Sequence, residues 1–74
     1  MKLDADVATS TALQYLSTAG YRGEWIKAHR CEYDDRLHTW SVIVDVGVMR
    51  YDFRKVLVDD DSGKVVGMDK VEQR

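Results

Sequence analysis

The stretch TWSVIVDVGV, Thr39 to Val48, decides how the chain folds. Trp40, Val42, Val44, Val46 and Val48 take every second position, with Ser41, Ile43, Asp45 and Gly47 between them. Successive side chains of an extended strand point to opposite faces, so this alternation makes one face continuously apolar and leaves the other mixed. Valine, isoleucine and tryptophan also suit a pleated, half-buried surface. The stretch predicts the principal strand of a sheet whose even-numbered face is covered.

Outward from it, the same reasoning finds the rest of the sheet. Glu24 to Tyr33 carries Trp25, Ile26, Cys31 and Tyr33 and predicts a strand before it, with a turn at Asp34-Asp35-Arg36. Tyr51 to Val58 predicts a third strand and Lys64 to Met68 a short fourth, separated by bends at DVGVMR and DDDSG. The cover for the apolar face is the segment Ala5 to Ala19. Asp4 is suited to cap its first turn and Gly20 to end it. At 100° per residue Ala5, Ala8, Ala12, Leu16 and Ala19 form one stripe flanked by Leu13 and Tyr15, with Ser10, Gln14, Ser17 and Thr18 opposite. An alanine seam lets a helix axis lie close to a sheet that supplies the large side chains. The expected class is α+β: one N-terminal helix packed on one face of a three- to four-stranded antiparallel meander sheet.

Composition sets the outer limits. Seventy-four residues are too few for two separate cores, so 1–74 reads as a single domain. An apolar share of 45% beside 32% charged residues is that of a folded protein, and the lack of proline argues against a linker. The single cysteine, Cys31, cannot form an internal disulfide, so packing alone must hold the fold, as suits a reducing compartment. Thirteen acids and eleven bases are spread along the whole length, for a net charge of -2. No basic run is long enough to track phosphates, so nucleic acid is not an expected partner. Nor is a membrane expected: no apolar stretch approaches the roughly 20 residues that cross a bilayer, and MKLDADVATS lacks the apolar core of a secretory signal. The expected location is the cytoplasm, unless the chain is a trimmed part of an exported precursor.

Three consecutive aspartates in VLVDDDSGKVVG, Val56 to Gly67, raise the question of a cation loop. An EF-hand needs oxygen ligands at its first, third and fifth positions and glycine at its sixth. With Gly63 sixth, the first position is Val58, which has no side-chain oxygen; with Asp59 first, glycine falls fifth. Hairpin chemistry accounts for the same residues, with Asp and Ser accepting from nearby amides and Gly63 taking positive φ.

That stretch also resembles the ending of a PepSY-type domain, in which a strand leads to an aspartate, a turn of the D-x-x-TG kind and a short closing strand. Asp59 matches the aspartate and Ser62-Gly63 stands for Thr-Gly. TWSVIVDVG is similar to the family's central strand and ATSTALQYLSTAGY to its leading helix, so the likeness runs from about Ala8 to Met68. It implies a cystatin-like layout of helix on sheet, and the family's proposed peptidase-inhibiting role implies a domain that regulates or inhibits a partner enzyme.

Candidate chemistry centres on His29, Cys31 and His38. Pairing Tyr33 with His38 across the turn sets Cys31 opposite Trp40 and His29 opposite Val42, on one side of the first hairpin. Imidazole and thiolate are zinc ligands, but this set lacks a fourth. A Cys-His nucleophile needs an orienting third group, and on this pairing Asp45 and Glu32 point to the other face. The alternative reading is thus a metal- or small-ligand-binding domain at these three residues; the favoured one has no metal, no cofactor and no catalysis, with Cys31 a buried hydrophobe under Trp40. It is a domain that binds a protein or peptide, or a second copy of itself, through a sheet edge or the open face. The residues expected to carry binding are Tyr21, Arg22 and Trp25 at one end, where aromatic and basic side chains mix as in interface hot spots. Arg30, Ile43 and Asp45 join them on the exposed face, where Ile43 with Ala28 makes an apolar spot.

Overall fold

The computed structural model describes residues 2–21, 25–47 and 49–71. Helix α1 (Ala5–Thr18) is followed by strands β1 (Lys27–Asp34), β2 (Thr39–Asp45), β3 (Phe53–Asp59) and β4 (Val65–Lys70). The strands form one antiparallel meander in the order β1-β2-β3-β4, and α1 packs across all four of them on one face. This is the expected α+β layout, with four strands. No helix among the described residues is long and apolar enough to cross a membrane.

The helix is set at both ends by its own sequence. Asp4, in extended conformation, caps it by accepting from the Val7 amide at 2.8 Å, and Asp6 adds negative charge where the helix dipole is positive. At the other end Gly20 takes φ +105° and donates to the Ser17 carbonyl, while the Tyr21 amide reaches back to that of Leu16 at 3.0 Å. This paired return satisfies carbonyls the last turn leaves free, and it is the Schellman pattern that a glycine permits. The helix stops at Thr18, with Ala19 as its cap. Replacing Asp4 with alanine is expected to cost about 1 kcal/mol, read as a lower urea midpoint with an unchanged m-value.

Ala8, Ala12 and Leu16 are fully buried against Trp40, Val42, Val44, Val56 and Val58. The seam is narrower than the stripe read from sequence, because Ala5 and Ala19 stand in solvent at the two ends of the helix. The even positions of β2 are the buried ones, and on β3 the register carries Val56 opposite Val42 and Val58 opposite Trp40 onto the same face.

The register of the first hairpin differs from the expected one. Tyr33 pairs with Trp40 and Cys31 with Val42, two residues along from the pairing that sets Cys31 against Trp40. A bulge between Ala28 and Arg30 then shifts the register by one residue. Two corrections follow. Ala28 comes opposite Val44, off the face of Ile43. His29, instead of facing Val42, packs its ring against Phe53 at a centroid distance of 4.9 Å. A second bulge interrupts β4 at Val66, between the pairs Leu57–Gly67 and Val58–Val65.

The three aspartates go three separate ways. Asp59 makes the turn, accepting the Ser62 amide on its carboxylate at 2.8 Å and the Gly63 amide on its carbonyl at 2.9 Å, with Gly63 at φ +71°. Asp61 is exposed and pairs with Lys2 at 3.5 Å. Asp60 turns inward and is only 2% exposed. It accepts from the Lys2 amide (2.7 Å), the Leu3 amide (2.8 Å) and Trp40 Nε1 (2.9 Å), so it ties the N-terminal segment to the core. Burial works to raise its pKa, but the hydrogen bonds from Leu3, Trp40 and Lys2 outweigh it and hold the carboxyl at about 2.

Candidate binding face

With α1 on one side, the other side of the sheet is bare. The register lays out its rows: Arg30, Ile43, Lys55 and Asp69 side by side, then Lys27, Asp45 and Phe53, then Glu32, Ser41, Leu57 and Gly67. Ile43, Phe53 and Leu57 are half-buried there, Leu57 lying within 3.5 Å of where a side chain on Gly67 would start. Arg30 pairs with Glu32 on its own strand.

An aromatic row crosses this face. His29 packs on Phe53, and Tyr51 stacks on the far side of the register at 5.7 Å with the rings 8° from parallel. Tyr51 is 70% exposed, Met49 94% and Trp25 41%. These three bound a shallow concavity of about 580 Å³ together with Lys27, Asp45 and Arg50. A second concavity of about 600 Å³, more polar, lies toward the first hairpin turn and is lined by Arg30, Glu32, Ser41, Ile43 and Lys55 among others.

The loop between β2 and β3 builds the first concavity, and Asp45 builds the loop. One carboxylate oxygen of Asp45 accepts both the Gly47 and the Asp52 amides at 3.0 Å, and the Val46 amide donates to the Asp52 carbonyl at 2.9 Å. The Asp52 and Gly47 amides hold the Asp45 carboxyl below the ordinary carboxylate range. Asp52 in turn accepts from Arg54 at 3.2 Å, which pushes the Arg54 pKa further up. Both carboxylates of this end are therefore engaged within the fold.

The residues named from sequence fall into separate places. Arg30 and Ile43 line the polar concavity, Trp25 and Asp45 the aromatic one. Tyr21 follows the helix cap and packs its ring against the core. Arg22 lies outside the described residues. Met49 and Arg50 fall in the bend expected from sequence, while Tyr51, expected to open the third strand, lies in the connection ahead of β3, which begins at Phe53; the signal that marks Met49 and Tyr51 is two large side chains in a connection, where turns ordinarily carry small polar residues.

His29, Cys31 and His38 are not brought together. His29 is on the bare face. Cys31 is half-buried on the helix side with its Sγ 3.9 Å from the Ala5 carbonyl. His38 sits in the first turn at φ +50°, its Nδ1 3.4 Å from the Tyr33 hydroxyl. The Tyr33 ring packs on Trp40 at 5.1 Å, and burial, then the charges of Asp60 and Asp35, push its hydroxyl pKa up. Among the described residues no group of three His, Cys, Asp or Glu side chains converges as metal ligands would. The chain matches no protein-family model, and no curated protein or solved structure matches it.

Proposed function

We propose that this chain is a small noncatalytic binding module, PepSY-like in layout, which holds a protein or peptide segment on the bare face of its sheet and so regulates or inhibits a partner enzyme. One observation carries the reading: an uncovered sheet face bearing the row His29, Phe53 and Tyr51, continued by exposed Trp25 and Met49. Contiguous exposed aromatic and methionine side chains are the composition of interaction surfaces, because each supplies large contact area with few rotors.

The edges support the face over strand addition. Both edge strands are bulged, β1 at His29 and β4 at Val66, and both carry charges: Lys27, Arg30 and Glu32 on one, Asp69 and Lys70 on the other. A bulge breaks the regular ladder of donors and acceptors that an incoming strand must match, and charges penalise its approach. The single free thiol supports work in a reducing compartment, the cytoplasm.

Selection of peptides from a displayed library against the folded protein tests this reading. The enriched peptides should lose roughly tenfold or more in affinity on Ile43→Asp, Phe53→Asp and Tyr51→Ser, and should be indifferent to Gln14→Asp on the outer face of α1. Tyr51 is exposed, so its substitution leaves the fold intact if the half-buried pair does not. A library that yields no binder, or binders insensitive to Tyr51→Ser, would remove the proposal.

A further inference from the structure

Resting on that reading, we propose that the concavity bounded by Trp25, Met49 and Tyr51 takes an acidic peptide segment, a large apolar side chain lying on these three groups and neighbouring carboxylates meeting Lys27 and Arg50. The charge of the site decides the choice. Among the described residues Lys27, Asp45 and Arg50 are the charged groups lining the concavity, and Asp52 lies beside Asp45. Asp45 is spent on the Gly47 and Asp52 amides, and Asp52 on the Arg54 guanidinium. Among the described residues neither Lys27 nor Arg50 has a carboxylate within ion-pair distance, while Lys2, Arg30 and Arg54 each have one. Among the described residues the concavity thus shows two cations outside ion-pair distance of a carboxylate beside three exposed apolar groups, while Asp45 accepts from backbone amides and Asp52 from Arg54. A segment that alternates carboxylates with a large apolar residue complements both features; a basic segment meets the like charges of Lys27 and Arg50, which costs affinity and sets specificity.

Two synthetic peptides of equal length and identical leucine and phenylalanine positions test the proposal, one with glutamate at its polar positions and the other with lysine. Binding is followed by the emission of Trp25, which should shift to the blue on contact, a change that Trp25→Phe abolishes. The glutamate peptide should bind roughly tenfold or more tightly than the lysine peptide, and should weaken severalfold as salt rises from low to high concentration. Lys27→Glu combined with Arg50→Glu should reverse the preference. Both side chains lie on the surface, so the doubly substituted protein should give the wild-type circular dichroism spectrum. Equal binding of the two peptides, or a preference that survives the double reversal, overturns the proposal. So does a dimer of the protein alone that dissociates on Arg50→Glu, which would give the surface to a second copy. If library peptides engage Tyr51 and Phe53 without acidic character, the binding reading stands and this inference fails.

Discussion

Replacing Asp60 with alanine should lower the thermal midpoint of the domain by roughly 15 °C, since a shift of that size is what the loss of several units of buried hydrogen bonding does to so short a chain. The substitution leaves three donors without an acceptor: the Trp40 indole, which is buried, and the amides of Lys2 and Leu3. Asparagine keeps one acceptor but turns its own N–H₂ toward the donors, so Asp60→Asn should fall between. Trp40 emission reports the loss directly, because its Nε1 changes partner. The pH dependence has a definite sign. The Asp60 carboxyl titrates at about 2 in the folded chain, against about 4 in an unfolded one. The unfolded chain therefore takes up the proton first, so the stabilisation is complete above about pH 5 and fades as pH falls through 4 toward 2. Asp45 and Asp59, whose carboxyls are also held low by backbone amides, act in the same direction. In Asp60→Asn the midpoint should fall less steeply across that interval than in wild type. A wild-type profile that is flat from pH 5 to 2, or a variant with the parent's slope, would contradict the assignment.

Gly47→Ala should be the most damaging glycine-to-alanine change among the described residues. An added Cβ would overlap the Arg50 carbonyl oxygen and lie 3.0 Å from the Asp52 nitrogen. Both are backbone atoms, so relief requires the β2–β3 loop to move and give up the Asp45 bonds to Gly47 and Asp52. A cost of about 3 kcal/mol is expected, against a total of about 3–5 kcal/mol for a domain this small. That leaves about 0–2 kcal/mol, so urea titration should show a variant whose folded state is only marginally favoured. Gly67→Ala supplies the contrast, since its Cβ would make ordinary contact with Leu57 Cδ1 at 3.5 Å; its unfolding free energy should stay within about 0.5 kcal/mol of wild type. Equal behaviour of the two variants would mean that the loop does not hold the close approach described.

Some of this was written in local sequence and some was not. The alternation from Trp40 to Val46 is a period-2 signal that survives intact, and Asp4 and Gly20 mark the helix ends through side-chain and backbone properties of single residues. The bulge at His29 leaves no such mark: it depends on how β1 twists against β2, and it alone moves His29 to the bare face and Ala28 off it. Asp60 is illegible for a related reason. Three adjacent aspartates look alike in sequence, and what draws the middle one inward is a segment 57 and 58 residues away together with an indole 20 residues away. Tyr21, read as a binding residue, is fixed by the helix cap that Gly20 itself announces. The exposed trio of Trp25, Met49 and Tyr51 comes from two connections that meet only once the sheet is paired.

The Asp60 anchor also bears on how the protein is born. Its donors at Lys2 and Leu3 leave the ribosome before their acceptor, which follows 57 or more residues later, a delay of about 3–12 s at ordinary rates of synthesis. Throughout that interval the nascent chain keeps its leading segment untethered, and only arrival of the last hairpin closes it down.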